Sequence, residues 1–122
     1  MSAENPTLEV EELKIQLTTE GGKSRITWHG TSELQDPSAS ISGFLRGLIP
    51  HIRNKHVVMD FRPLEYMNSA TLQPLLLVLK EYNAAEIQTE IIYDPNVEWQ
   101  RIVFRSVAAI STTLSRISIN RG

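Results

Sequence analysis

The sequence predicts one α/β domain: a mixed β-sheet with helices mainly on one face, its elements in the order β β α β α β α β. Three observations predict it. Apolar residues alternate with polar ones on both sides of Gly21-Gly22, the period of two that marks half-buried strands joined in a hairpin. Three later segments carry apolar residues at helical spacing. Between them stand short apolar runs rich in β-branched residues, the pattern of strands buried on both faces. A hairpin followed by α/β alternation implies parallel central strands, and right-handed crossovers place the helices mainly on one side.

Each element follows in chain order. Residues 1–9 are polar and acidic and are expected to form a flexible tail, with the domain at 10–120. Leu13, Ile15 and Leu17 alternate with Lys14, Gln16 and Thr18, and Ile26 and Trp28 alternate with Arg25, Thr27 and His29. Gly30 is expected to break the second strand. Ile41, Phe44, Leu45, Leu48, Ile49 and Ile52 fall at offsets 0, 3, 4, 7, 8 and 11, one helical stripe over about residues 37–52. Asp36-Pro37 supplies an N-cap and a first-turn proline. Gly43 and Gly47 weaken this helix by about 1 kcal/mol each, and their spacing reads as close packing of helix on sheet. Pro50 disturbs its last turn.

Val57–Phe61 reads as a buried strand and Arg62–Met67 as a connecting loop. Leu72, Leu75, Leu76 and Leu79 form a second helical stripe that ends near Tyr82-Asn83 and contains Pro74, which removes one backbone bond. Ile87–Tyr93 is the next strand. Asp94-Pro95 repeats the helix-start signal for a third helix to about Ala109. Its apolar residues Trp99, Ile102, Val103, Phe104 and Val107 cover more than one face; the helix is either deeply packed or leaves an apolar patch for a partner. Leu114–Ile119 closes the sheet.

Composition narrows the function. The chain has 122 residues, room for one ordinary domain. Its formal net charge is −2, without the basic excess of a nucleic-acid binder. With no cysteine there is no disulfide, no thiolate metal site and no cysteine nucleophile. The longest apolar run is Leu75–Leu79, far short of the roughly 18–20 residues that span a bilayer. The polar, acidic N-terminus is neither a signal peptide nor a basic transit segment. The expectation is a cytoplasmic protein with no membrane contact. His29, His51 and His56 lack helical metal-pair spacing, and phosphate-loop, dinucleotide and nucleophile-elbow motifs are absent. No metal, no cofactor and no catalysis are expected. Asp60 and Glu65 could be paired as acid and base, but an Asp at a strand end more often bonds the backbone of its own loop.

The informative stretch runs from Val57 to Leu72, out of a buried strand and into a helix N-terminus. Asn68 is a good N-cap. Met67 and Leu72 then occupy the two positions of a hydrophobic staple. Ser69 becomes the first helical residue, its hydroxyl beside free backbone N–H groups at the positive helix end, a setting that suits a phosphate. By itself, Asn-Ser ahead of an apolar run also describes no more than a capped helix.

A buried strand ending in Asp60, a loop ending Tyr66-Met67-Asn68-Ser69 and a following helix resemble the STAS domain of anti-sigma factor antagonists, and the element order over residues 13–119 is similar. The family motif reads Asp-Ser-[Ser/Thr]-Gly, its first Ser being the phosphorylated one. Here Asn68 replaces Asp, Ala70 the second Ser/Thr and Thr71 the Gly, and the helix that usually ends such domains is missing. The SiaC-like regulatory phosphoproteins place Asn before their phospho-acceptor, and Tyr66-Met67-Asn68-Ser69 and Ile91-Ile92-Tyr93-Asp94 are similar to segments of that branch. The resemblance implies phosphorylation at Ser69 and a partner surface of Glu65, Tyr66, Met67, Asn68, Ala70 and Thr71. It implies protein partners: a serine kinase or anti-sigma-like factor, or an output enzyme, with a phosphatase that resets the switch. The alternative is an unphosphorylated ligand-binding or constitutive subunit module. The oligomeric state stays open, a homodimer included.

Overall fold

The structure is a computed structural model and describes residues 6–121. Its centre is a seven-stranded sheet in the order β1-β2-β3-β4-β6-β7, with β5 paired to β3 off that path. β1 (Thr7–Val10), β2 (Leu13–Glu20) and β3 (Lys23–Ser32) form an antiparallel meander. β3, β4 (His56–Asp60), β6 (Thr89–Tyr93) and β7 (Ile117–Arg121) run parallel. The mixed sheet with parallel central strands is thus as the sequence predicts.

The period-two pattern decides which face each side chain takes. Leu13, Ile15, Leu17, Ile26, Trp28, Val57 and Met59 lie on the covered face and join one core with Ile41, Leu45, Leu75, Val78, Leu79, Phe104 and Val107 from the helices. Trp28, Phe61 and Phe104 pack through this core with tilted rings at centroid distances of 4.7 Å. The opposite sheet face is polar. There, Arg25 and Arg62 flank the buried Asp60, and Glu90 meets His56 and Asn120. Long polar side chains finish this face without a second helical layer.

Several boundaries differ from the sequence reading, each for a local reason. Residues 1–5 of the expected tail lie outside the described residues, and Thr7–Val10 is strand: it pairs with Leu13–Gln16 and lays Leu8 and Val10 on the core. Gly30 does not end β3. Its φ of +83° makes a bulge at which the pairing register shifts, and β3 continues to Ser32. Those last residues pair in parallel with Leu64–Met67, so the expected connecting loop contains a strand, β5.

The first helix is broken. A π-helical turn at Ser38–Ser42 leads into α1 (Gly43–Gly47), then α2 (Ile49–Ile52). Asp36 does not cap it; Pro37 precedes the first turn. Pro50 lacks the N–H that would continue α1. Gly43 and Gly47 have nothing within 4 Å of a Cβ built on them, so close packing does not explain their spacing. α3 spans Ser69–Ala84, and Tyr82 anchors it by donating to the Leu45 carbonyl at 2.6 Å. α4 spans Glu98–Ile110 and starts later than Asp94-Pro95 suggests. The Asp94 carboxylate instead accepts from Asn96 N–H at 2.9 Å and closes a turn.

Candidate functional site at the start of α3

β5 exists because β3 outruns β4. β4 pairs with Lys23–Thr27, which leaves the end of β3 open to Leu64–Met67. In β5, Leu64 and Met67 turn inward while Glu65 and Tyr66 face solvent. The strand delivers Asn68 to the tip of β3, where Asn68 N–H donates to the Ser32 carbonyl at 2.9 Å.

Asn68 caps α3 as its residue type predicts. Its Oδ1 accepts from Thr71 N–H at 3.1 Å and from the Thr71 hydroxyl at 2.7 Å. Its Nδ2 donates to the Leu34 carbonyl at 3.2 Å. The Ser32 and Thr71 hydroxyls lie 2.6 Å apart. Because Thr71 spends its proton on Asn68, Ser32 is the donor of that pair. This chain of bonds explains two departures from the antagonist motif. An aspartate at position 68 would set a carboxylate oxygen against the Leu34 carbonyl, and a glycine at 71 would leave Ser32 unpaired in the interior.

Ser69 is the first residue of α3 and is exposed. No acidic residue occupies the first turn of α3, so the helix dipole there is uncompensated by the chain's own carboxylates. Beside Ser69 lies an apolar groove of about 300 Å³, walled by Tyr66, Met67, Asn68 and Leu72 on one side and by Trp99, Ile102 and Val103 of α4 on the other. Tyr66 and Trp99 meet edge to face at 6.1 Å. Ile102 is 56% exposed and Tyr66 43%. The mixed apolar face of α4 therefore does both things: Phe104 and Val107 are buried, while Ile102 and Ile110 remain open.

The structure gathers only part of the expected partner surface. Tyr66, Asn68 and Ser69 stand together at the groove; Glu65 and Ala70 are exposed outside its lining. Met67 is 4% exposed and contributes only an edge. Thr71 must be removed from the surface: it is 0% exposed, held by Asn68 and Ser32, and offers a partner nothing.

Gln100 supports the site and escaped the sequence reading. It is fully buried, donates to the carbonyls of Phe61 and Leu64 at 2.9 and 3.0 Å, and accepts from Asp94 N–H at 2.8 Å. It holds the turn that launches β5. Its signal was present, since Gln100, Phe104 and Val107 share the buried stripe of α4 and a buried amide needs partners.

Asp60 is bound up with its own loop and with β3. Asp60 accepts from Arg62 N–H at 3.0 Å, from the Arg62 guanidinium at 2.9 and 2.8 Å, and from Arg25 at 2.9 Å. Burial alone would raise its carboxyl pKa, but the Arg62 hydrogen bonds and the two guanidinium charges outweigh burial and hold it below the usual carboxylate range. It is a clamp for the chain reversal after β4.

No protein-family model and no curated protein matches the chain in sequence. Solved structures do match its fold. An anti-sigma factor antagonist from Mycobacterium paratuberculosis superposes with a TM-score of 0.62 at 11% identity, over 91% of this chain and 90% of its own. SiaC from Pseudomonas aeruginosa, solved in complex with the diguanylate cyclase SiaD that it activates, superposes with a TM-score of 0.61 at 16% identity, over 95% of this chain and 98% of its own. No helix among the described residues is long and apolar enough to cross a membrane. Strand order, parallel core and helix placement give this chain the STAS-like fold of the anti-sigma factor antagonists.

Proposed function

We propose that this protein is a non-enzymatic, cytoplasmic regulatory module that binds a protein partner through the groove beside α3 and is switched by phosphorylation of Ser69. The observation that carries the reading is one juxtaposition: an exposed hydroxyl at the first position of a capped helix, on the rim of an exposed apolar groove. Phosphorylation adds about −1.5 to −2 charges at neutral pH. At a helix N-terminus those charges are favourable by about 0.3–1 kcal/mol, so the domain keeps its fold. The cost falls on the complex, where the dianion must be desolvated against an apolar or acidic partner surface.

The partner is a serine kinase or anti-sigma-like factor, or an output enzyme, and a phosphatase resets the switch. The fold it shares with an anti-sigma factor antagonist and with an activator of a diguanylate cyclase supports a regulatory role. The test is affinity capture from the native host with wild type, Ser69→Ala and Ser69→Asp, with mass spectrometry of residue 69. We expect Ser69→Ala to retain the partner, Ser69→Asp to lose it, and phosphate on Ser69 under some growth condition. Equal capture by all three, with Ser69 never modified, rejects the switch. It would leave a constitutive binding module, the reading favoured by Ala70 and the buried Thr71.

A further inference from the structure

Among the described residues, β7 is the last strand of the sheet and pairs only with β6. Its outer edge offers backbone donors and acceptors from alternate residues, a template for another strand. Beside that edge, beneath α4, lies a groove of about 780 Å³. Arg101 and Arg105 reach it from α4 and Arg121 from the end of β7, all three exposed. Among the described residues, the one carboxylate in its lining is Glu90, which already meets His56 and Asn120. The rest of its lining mixes Tyr93, Pro95, Ala108 and Ile119 with the polar Asn120, and Phe104 behind them is fully buried. The chain as a whole carries −2, so this cationic strip runs against the overall charge.

We infer that the β7 edge is a docking site for an extended acidic peptide of a partner protein, which adds to the sheet as a further strand. Backbone bonds to β7 supply register, and alternate side chains of the added strand point to the α4 side and to the open polar side of the sheet. Carboxylates on the α4 side meet the arginines, for which a guanidinium fork is well suited, while the intervening side chains lie over the polar face beside Asn120. A second copy of this chain in twofold contact would bring like-charged arginines together, which disfavours it as the occupant. This site lies apart from the groove beside Ser69 and does not rest on the reading of Ser69.

The test is a titration of the isotope-labelled full chain with a short peptide alternating Glu and Val, followed by amide NMR. We expect shifts confined to residues 117–121 and the start of α4, slowed exchange of β7 amides, and weakening with added salt. The double variant Arg101→Glu, Arg105→Glu should bind roughly tenfold more weakly with an unchanged far-UV spectrum, while Ser69→Asp binds as wild type. Absence of shifts up to about 1 mM peptide, the weak end of specific recognition, overturns the inference. So does equal binding of a Gln/Val peptide. The same shifts from inorganic phosphate alone would make this a small-anion site, those from a DNA oligonucleotide a nucleic-acid site, and concentration-dependent self-association through β7 a dimer interface; each would also overturn it.

Discussion

At the scale of single residues, the start of α3 is a hydrogen-bond chain in which every member has a stated partner: Ser32 to Thr71, Thr71 to Asn68, Asn68 to Leu34. Removing the cap should cost about 1–2 kcal/mol for Asn68→Ala, read from urea unfolding. Asn68→Asp should lose less, because it keeps the bonds to Thr71 and gives up the one to Leu34. Thr71→Val strands the Ser32 hydroxyl and should cost about 1–3 kcal/mol. Asp60 adds a pH dependence. Its pKa is lowered by folding from an ordinary value of 3.8, so its contribution is fully present above that value and is lost as pH falls through the folded-state value. Unfolding curves measured from neutral pH downward should show this acid loss, and Asp60→Asn should remove it.

At the scale of elements, two glycines of similar appearance in the sequence behave oppositely. A Cβ at Gly30 would lie 1.9 Å from the Glu12 carbonyl oxygen, on a backbone at φ +83°. Gly30→Ala should therefore destabilise by at least the about 1–3 kcal/mol of strained backbone, read as a lower Tm. Gly47 closes α1 with open space around it, and Gly47→Ala should gain up to about 1 kcal/mol of helix propensity. The hairpin and all three helical stripes were legible in the sequence because their signals are periodic and local. β5 was not: its four residues carry no clean alternation, and they are strand only because β3 presents an unpaired end. Asp94-Pro95 misled for the related reason that the same dipeptide serves a turn as well as a helix start.

At the scale of the whole molecule, the residues that hold the fold together are separate from those that line the groove beside Ser69. Core, cap network and Asp60 clamp lie inward, while Ser69, Tyr66 and Ile102 lie on the surface. A charge at position 69 should then alter partner capture without unfolding the domain, and Ser69→Asp should melt at or slightly above the wild-type Tm, because the helix dipole favours it. The sequence by itself determined the fold class, the covered and open faces of the sheet, the cap at Asn68 and the placement of Ser69 at a helix start, because alternation, helical period and capping chemistry act over a few residues. Only the tertiary structure decided that Thr71 is interior, that Gln100 pins the launch of β5 and that Tyr66 and Ile102 meet across one groove. Those facts depend on residues more than thirty positions apart being brought together, and no local pattern encodes such a meeting.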